Sequence, residues 1–132
     1  MPFELDESRL PIVILKGGGR ATEKDLDRYH SKLEQLLAQG QKHVIIWDID
    51  DSAVMPPHLR SRLAKWLKDN RSALKRYRLG YALVSDSAVV RGFYTAVFWT
   101  VKADFPRKTF KHMEEALAWG ERLVQLPPSG RQ

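Results

Sequence analysis

One short apolar run stands out because it ends in a cluster of acidic residues. In the segment HVIIWDIDDS, residues 44–47 are all apolar and polar residues flank them on both sides. Such a run is typical of a strand buried on both faces of a sheet. Open α/β sheets meet ligands and partners at the carboxyl ends of their central strands. The pattern therefore predicts a central strand whose end carries a candidate binding loop, formed by Asp48, Asp50, Asp51 and Ser52.

An antiparallel hairpin is predicted before this strand. Residues 3–6 and 10–16 are two short strand-like stretches joined by the polar turn 6–9, and Pro11 restricts the second strand to its start or edge. The glycines at 17–19 are followed by neither a Lys-Ser/Thr pair nor a G-x-G-x-x-G pattern. We therefore predict an ordinary turn there.

A helix is predicted after the glycines. Thr22 and Asp25 have the spacing of a capping box, and Gly40 ends the helix. His30 is predicted on the flank of the apolar stripe, which consists of Leu26, Tyr29, Leu33, Leu36 and Leu37.

A second amphipathic helix is predicted to open at Pro56-Pro57, a favourable place for proline, and to reach Tyr77. Its apolar stripe covers about one third of the helix circumference and contains Leu59, Leu63, Trp66, Leu67, Leu74 and Tyr77. The remaining surface is cationic and opposed by the single acid Asp69; it carries Arg60, Lys65, Lys68, Arg71, Lys75 and Arg76. This face indicates either a solvated surface or a docking surface for an acidic protein, nucleic acid or an anionic membrane.

A second buried strand (residues 79–85) and a very apolar helix (residues 89–102) follow, with Asp86-Ser87 as a candidate cap between them. The predicted core-facing stripe of this helix is Val89, Val90, Phe93, Ala96, Val97 and Val101. Phe98 and Trp99 fall outside that stripe and Tyr94 lies at its edge. Aromatic residues off the core stripe indicate an apolar patch or ligand pocket, a helix covered on two sides, or a different helical phase.

The chain is predicted to close with a short strand at 107–112 and a helix at 113–124. The resulting order, ββαβαβαβα, predicts an α/β sandwich with a mainly parallel sheet and one N-terminal antiparallel hairpin. We expect a single domain over residues 1–124 and a flexible C-terminal tail at 125–132.

Composition narrows the function classes only slightly. The 132 residues suffice for one core, and the absence of cysteine excludes disulfides, thiolate chemistry and zinc–cysteine sites. The acidic N-terminus is unlike a signal peptide and no apolar run reaches membrane-spanning length, so we expect a cytoplasmic protein. A net charge of +6 favours an anionic partner without specifying one.

The order of elements, together with several phrases, resembles the STAS domain and within it the SpoIIAA-like proteins, which are related to CRAL-TRIO lipid-transfer folds. The resemblance covers roughly residues 3–124. It is carried by Gly19 before the first helix and by the segments HVIIWDID, LGYALVSD, VVRGFYTAVF and RKTFKHMEEALAW. It implies a non-catalytic regulatory domain that binds a protein or a lipid-like molecule.

The chain departs from this pattern at one functional position. In anti-sigma-factor antagonists of the superfamily, a serine in a D-S-S/T-G-like turn just before the second helix is phosphorylated, which releases the partner kinase. This sequence has Val54-Met55-Pro56-Pro57 at that place, and its nearest candidate, Ser52, comes earlier and lacks the glycine.

An enzymatic alternative comes from the phrase IIWDIDDS, which looks like the first motif of haloacid-dehalogenase-type phosphotransferases. Asp48 would then be the nucleophile, Asp50 the proton-transfer residue, Mg²⁺ the counter-ion and Ser85 the phosphate-binding hydroxyl. However, no later strand end carries the acidic pair that those enzymes need. The four histidines also show no metal-ligand spacing. We therefore predict no catalytic residue, no metal site and no cofactor.

The favoured hypothesis is a protein-binding domain whose partner face consists of Asp50, Asp51, Ser52, Arg60 and Lys68. The second hypothesis is a carrier or sensor of an apolar, lipid-like ligand that uses Tyr94, Phe98 and Trp99. Nucleic-acid binding through the cationic helix is the weakest of the three, because Trp66 and Tyr77 lie on the core stripe instead of among the cations. The sequence leaves open whether the chain forms a homodimer.

Overall fold

A five-stranded sheet in the order β1-β2-β3-β4-β5 organises the part of the chain described by the computed structural model. That part comprises residues 3–99 and 104–125, without the side chains of residues 97–99. The strands are β1 (Glu4–Arg9), β2 (Ile12–Gly17), β3 (His43–Ile49), β4 (Arg78–Val84) and β5 (Arg107–Phe110). The helices are α1 (Glu23–Ala38), α2 (Pro57–Asp69), α3 (Arg71–Tyr77), α4 (Ala88–Trp99) and α5 (Met113–Gln125). Gln125, the first residue of the predicted tail at 125–132, belongs to α5, and residues 126–132 lie outside the described part of the chain.

The sheet is parallel except for its first pair of strands. β1 runs antiparallel to β2, whereas the pairs β2–β3, β3–β4 and β4–β5 are parallel. This arrangement confirms the predicted α/β class, with one N-terminal hairpin on a parallel sheet. It also brings the carboxyl ends of β2, β3 and β4 to one edge, which we call the C-terminal edge.

The two faces of the sheet are covered unequally. Helices α1 to α4 cover one face, whose core includes Val13, Leu15, Ile45, Trp47, Tyr81 and Leu83. Helix α5 packs on the other face, whose core includes Ile12, Ile14, Val44, Ile46, Ala82 and Val84. Because side chains alternate along a strand, β3 needs apolar residues at successive positions, and this requirement explains the apolar run in its sequence.

The predicted capping box at the start of α1 is present. The Asp25 backbone N–H donates to the Thr22 hydroxyl at 3.2 Å, and the Thr22 backbone N–H donates to the Asp25 carboxylate at 2.9 Å. The prediction for His30, however, is wrong. His30 is buried instead of lying on the flank, and its ring stacks on Trp66 with the centroids 4.6 Å apart.

The predicted second helix is divided in two. α2 ends at Asp69 and α3 begins at Arg71, with Asn70 between them at φ −106° and ψ 15°. The Trp66 carbonyl accepts both the Asn70 backbone N–H at 3.0 Å and the Asn70 side-chain amide at 2.9 Å, so the asparagine side chain adds a second hydrogen bond at the end of α2. The apolar stripe is nevertheless confirmed at its aliphatic positions, because Leu59, Leu63, Leu67 and Leu74 are all buried.

The predicted core stripe of α4 is wrong in phase. Of the predicted stripe, Val90 is buried, but Val89 and Phe93 are 82% and 41% exposed, and Tyr94, predicted at the edge of the stripe, is buried. The Tyr94 ring packs edge-on against Trp47 with the centroids 5.9 Å apart. The helix is thus rotated so that Tyr94 covers the Trp47 side of the sheet, and the face containing Phe93 turns outward.

The boundaries of the N-terminal hairpin also differ from the prediction. β1 continues through the predicted turn to Arg9, with an irregularity in register between Asp6 and Arg9. Asp6 accepts hydrogen bonds from the backbone N–H and the hydroxyl of Ser8, at 2.9 and 2.6 Å. An edge strand tolerates such polar residues, because one side of it is not covered by another strand. Among the helices that the structure describes, none has the length and apolarity needed to span a bilayer.

Candidate functional site

Two loops at the C-terminal edge are joined into one unit. The loop after β2 contains Gly18 and Gly19, and the loop after β3 contains Asp50 and Ser52. The Gly19 backbone N–H donates to the Ser52 hydroxyl oxygen at 2.9 Å. The Ser52 hydroxyl donates in turn to the Asp50 carboxylate, which also accepts the Ser52 backbone N–H at 2.9 Å. We call Gly18, Gly19, Asp50 and Ser52 the loop clip.

Backbone hydrogen bonds extend the connection beyond the loop clip. The Val54 N–H donates to the Gly19 carbonyl and the Ala21 N–H donates to the Val54 carbonyl, each at 2.8 Å. Arg20 and Val54 thus form an isolated parallel bridge. The segment between β3 and α2 is therefore held against the loop between β2 and α1.

Glycine at position 18 is required by the approach of Asp50. A Cβ atom at Gly18 would lie 2.2 Å from each carboxylate oxygen of Asp50, well inside van der Waals contact. The pKa of the Asp50 carboxyl is lowered first by the hydrogen bond from the Ser52 hydroxyl and then by that from its backbone N–H. Asp50 is thus held as a carboxylate that orders the loop, and Asp51 beside it is exposed.

The structure brings together only some of the residues predicted for the partner face. Asp50 and Ser52 belong to the loop clip and Asp51 adjoins it. Arg60 is half-buried near the start of α2, where its guanidinium carbon lies 5.3 Å from the ring centroid of Phe93. Lys68 is exposed, but it lies near the other end of α2. At a rise of 1.5 Å per residue it is about 16 Å from the first residue of the helix, so it is not part of this cluster.

Of the residues predicted for an apolar ligand, Tyr94 is buried and lines a cavity between α4 and β5. The side chains of Phe98 and Trp99 lie outside the described part of the chain.

Part of the cationic surface of α2 and α3 is neutralised by acids. Lys65 pairs with Asp69 at 2.6 Å, and Arg71 pairs with Asp104 at 2.8 Å. Asp104 comes from the segment before β5, and its contribution could not be recognised from the helix alone. The uncompensated charge available to an anionic polymer is therefore smaller than the helical wheel suggests.

Sequence patterns missed the exposed apolar residues of the C-terminal edge. The described residues expose four large apolar side chains, and three of them lie at or near this edge: Val54, Val89 and Phe93. The fourth, Leu10, lies at the opposite end of the sheet, in the connection between β1 and β2. Val89 and Phe93 were missed because the helical phase predicted for α4 placed both of them in the core.

Asp48 and Ser85, which the enzymatic alternative assigns to catalysis and phosphate binding, interact with neighbouring residues of the chain. Burial raises the pKa of Asp48, and Asp86 and Asp50 add to this effect against the opposing charge of Lys16. The Ser85 hydroxyl accepts the Ser87 N–H at 3.2 Å, and the Ser87 hydroxyl accepts the Val90 N–H at 3.2 Å at the start of α4. Over residues 3–99 and 104–125, no group of three or more acidic or histidine side chains is placed to hold a metal ion.

No protein-family model matches the chain, and no curated protein matches its sequence. Its structure, however, is similar to solved ones. An uncharacterised protein of the DUF3478 family with a SpoIIAA-like fold, from Shewanella loihica PV-4, is 17% identical with a TM-score of 0.63, covering 89% of this chain and 91% of that one. The anti-sigma factor antagonist SpoIIAA in its unphosphorylated form is 17% identical with a TM-score of 0.59, covering 94% and 99%.

A third structure, the Bacillus cell fate determinant SpoIIAA in its phosphorylated form, is 16% identical with a TM-score of 0.55 and covers 89% of this chain and 97% of that one. Likeness at this level of identity establishes the fold. The chain has a SpoIIAA-like fold, which confirms the fold that the sequence resemblance implied. At the start of α2, this chain has Pro56 at the N-cap, which provides no side-chain hydroxyl.

Proposed function

We propose that the chain is a non-catalytic regulatory domain that binds a protein partner at its C-terminal edge. The binding surface would comprise Asp51, Val54, Arg60, Val89 and Phe93. The observation that carries the proposal is the concentration of exposed apolar side chains at or near this edge, beside a rigid acidic loop. Apolar residues next to charged ones are a common composition for a protein interface.

The hydrogen bonds that fix the loops of this edge support the proposed function. A surface that is already fixed in the free protein loses little conformational entropy when it binds. The loop clip holds the segment around Asp51 and Val54 through side-chain and backbone hydrogen bonds. The contact of Arg60 with Phe93 places a cation beside the exposed ring, where it can meet an acidic group of a partner.

The fold neighbours agree with a regulatory role of this kind, since one of them is described as an anti-sigma factor antagonist. Regulation of this chain would differ at one point. The Ser52 hydroxyl already donates to Asp50 and accepts from Gly19, so a phosphate on Ser52 would break the loop clip. Because Pro56 at the N-cap of α2 also provides no hydroxyl, we propose binding that does not depend on phosphorylation at the start of α2.

The test is site-specific photo-crosslinking in a lysate of the native host. A benzophenone amino acid is placed at Val89 in one variant and at Leu10 in another, because both positions are exposed and apolar but lie at different edges. We expect the Val89 variant to capture a specific protein and the Leu10 variant not to. Capture of the same proteins from both positions would contradict the proposal.

Charge reversals then examine the same surface. Asp51→Lys and Arg60→Glu should reduce capture at Val89, whereas Glu121→Lys and Arg122→Glu on exposed positions of α5 should not. If all four variants retain full capture, the proposed surface is wrong.

A further inference from the structure

A cavity of about 190 Å³ lies between α4 and the edge strand β5. At about 30 Å³ for each water molecule, this volume corresponds to roughly six waters, which is the size of a small aromatic or aliphatic acid. A second cavity on the other side of Tyr94 has only about 20 Å³ and lies within the apolar core. The cavity beside β5 is therefore the one with room for a small molecule next to Tyr94.

The floor of this cavity is formed by two paired strands. Tyr81 pairs with Arg107 and Leu83 pairs with Thr109 in the parallel register of β4 and β5. Because side chains alternate along a strand, these four residues point to the same face of the sheet. Lys108 points to the opposite face, where its Nζ atom lies 5.4 Å from the ring centroid of Phe110.

The wall of the cavity comes from α4. Tyr94 is held by its edge-on contact with Trp47, and Thr95 is held by the hydrogen bond of its hydroxyl to the Arg91 carbonyl at 2.7 Å. Leu83 and the Tyr94 ring supply apolar surface, while Thr109 and Arg107 supply polar groups. The lining thus suits a molecule with an apolar body and a polar end.

The electrostatics of the cavity favour an anion. None of the lining residues that the structure describes is acidic, and the one basic side chain among them on this face of the sheet is that of Arg107. Burial raises the pKa of the Tyr81 phenol well above its usual range, and Tyr29 and Tyr94 add to this effect against smaller opposing effects of Arg78 and Arg107, so the phenol stays protonated.

From this geometry we propose that the cavity binds a small amphipathic carboxylate. The carboxylate group would contact the Arg107 guanidinium, and the apolar body would pack on Leu83 and the Tyr94 ring. This site goes beyond protein binding at the C-terminal edge. It keeps Tyr94 as a ligand-binding residue, but the basic lining changes the ligand class from a purely apolar molecule to an organic acid.

The test is an NMR titration of the ¹⁵N-labelled protein with 3-phenylpropanoate, compared with the neutral 3-phenylpropanamide and with inorganic phosphate. We expect the acid to shift the backbone signals of residues 94, 95 and 107–109 at millimolar concentration. Replacement of Arg107 by glutamine should weaken binding about tenfold or more, because a charge-assisted hydrogen bond is lost. The matched variant Arg122→Gln removes one exposed arginine on the other face of the sheet and should bind normally.

A second variant tests whether the ligand occupies the cavity by filling the cavity instead of removing its charge. Thr95→Trp should fill the space and abolish the shifts, and a dispersed spectrum verifies that the variant is folded. Three results would overturn the proposal: no shift at these residues, equal binding of the acid and the amide, or equal binding of inorganic phosphate. The second result would indicate an uncharged pocket, and the third a surface anion site.

Discussion

The Nε atom of Arg78 lies 3.4 Å from Nε2 of His43, and both side chains are buried. His43 also places its Nδ1 atom 3.0 Å from the Gln41 carbonyl. Since a carbonyl can only accept, Nδ1 carries the proton and Nε2 accepts from the arginine. This geometry requires neutral His43, because a protonated ring would direct a second N–H at a cation.

The first prediction concerns pH. Burial, followed by the charge of Arg78, lowers the pKa of His43 to about 4, against a smaller opposing effect of the Gln41 carbonyl. The unfolded chain, with a histidine pKa of about 6.5, binds a proton that the folded chain does not, so the free energy of unfolding should fall as the pH falls from about 6.5 to about 4. Above that window, the contribution of His43 should be constant.

His30 should act in the same direction. Its pKa is lowered to about 4 by burial and then by Arg62, with a smaller effect of Arg78, while Glu34 and Asp27 oppose the shift. For the two histidines together, we expect the free energy of unfolding to fall by on the order of 3 kcal/mol across this pH window. This value is smaller than the two pKa shifts alone would give, because solvent screens part of the electrostatic effect. Urea unfolding at a series of pH values measures it. In His43→Gln the slope should decrease by about one proton, and an unchanged slope would refute the assignment.

The second prediction separates the charge of Arg78 from its volume. Within the described residues no carboxylate pairs with Arg78; its guanidinium carbon lies 5.0 Å from the ring centroid of Phe105. Arg78→Met keeps the length without the charge, so its free energy of unfolding should be equal to or above that of the parent chain. Arg78→Ala should cost about 2–4 kcal/mol through the cavity it leaves.

The pKa of His43 provides an independent measurement of the same change. It should rise in both Arg78 variants, since the neighbouring positive charge is gone, and NMR titration of the imidazole nitrogens detects it. If methionine costs as much stability as alanine, the guanidinium contributes to stability through its hydrogen bonds, and the prediction is wrong.

The third prediction examines the loop clip by substituting Gly18, with Gly92 on α4 as the control position. Gly18→Ala should displace the Asp50 carboxylate and lose its bonds with Ser52, at a cost of about 1–3 kcal/mol. The matched substitution Gly92→Ala lies on an exposed position of α4 with nothing within 4 Å of the new Cβ. It should stabilise the protein by about 0.5–1 kcal/mol through helix propensity.

Denaturant unfolding of both glycine variants, and of Ser52→Ala, measures these effects. Because Gly18 and Ser52 act on the same carboxylate, the double variant should lose less than the sum of the single losses. Strict additivity would show that the two residues do not share the loop clip.

The fourth prediction concerns the packing of α5 on the sheet. A Cβ atom at Gly80 would lie 2.5 Å from the Leu123 Cδ1 atom and 2.9 Å from the Trp119 ring. Gly80→Ala should therefore destabilise the protein by about 1–3 kcal/mol through overpacking. Leu123→Ala removes the atom that the new Cβ would meet, so the double variant should lose less than the sum of the two single losses. Additive losses would place the strain elsewhere.

Much of the fold could be predicted because it depends on local patterns. β3 needs apolar residues on both faces, and its sequence has them at successive positions. Thr22 and Asp25 are three residues apart, so the capping box at the start of α1 follows from their spacing alone. The alternation of strands and helices then leaves few arrangements other than a parallel sheet.

The phase of α4 could not be predicted in this way. The segment AVVRGFYTAVFW is apolar or aromatic on most sides, so more than one stripe fits a helical period. The choice is made by the sheet beneath the helix, where Trp47 packs against Tyr94. The exposure of Val89 and Phe93, and with it the candidate partner surface, depends on that contact.

The sequence alone determined the sheet, the order of its elements and the cluster of acidic residues at the end of β3, because each depends on residues close together in the chain. Only the tertiary structure decided what those residues do. Gly19 and Ser52, which join in the loop clip, are 33 residues apart, and Tyr81 and Arg107, which line the cavity, lie on different strands. Such contacts are selected by packing of the whole chain, and a local pattern does not contain them.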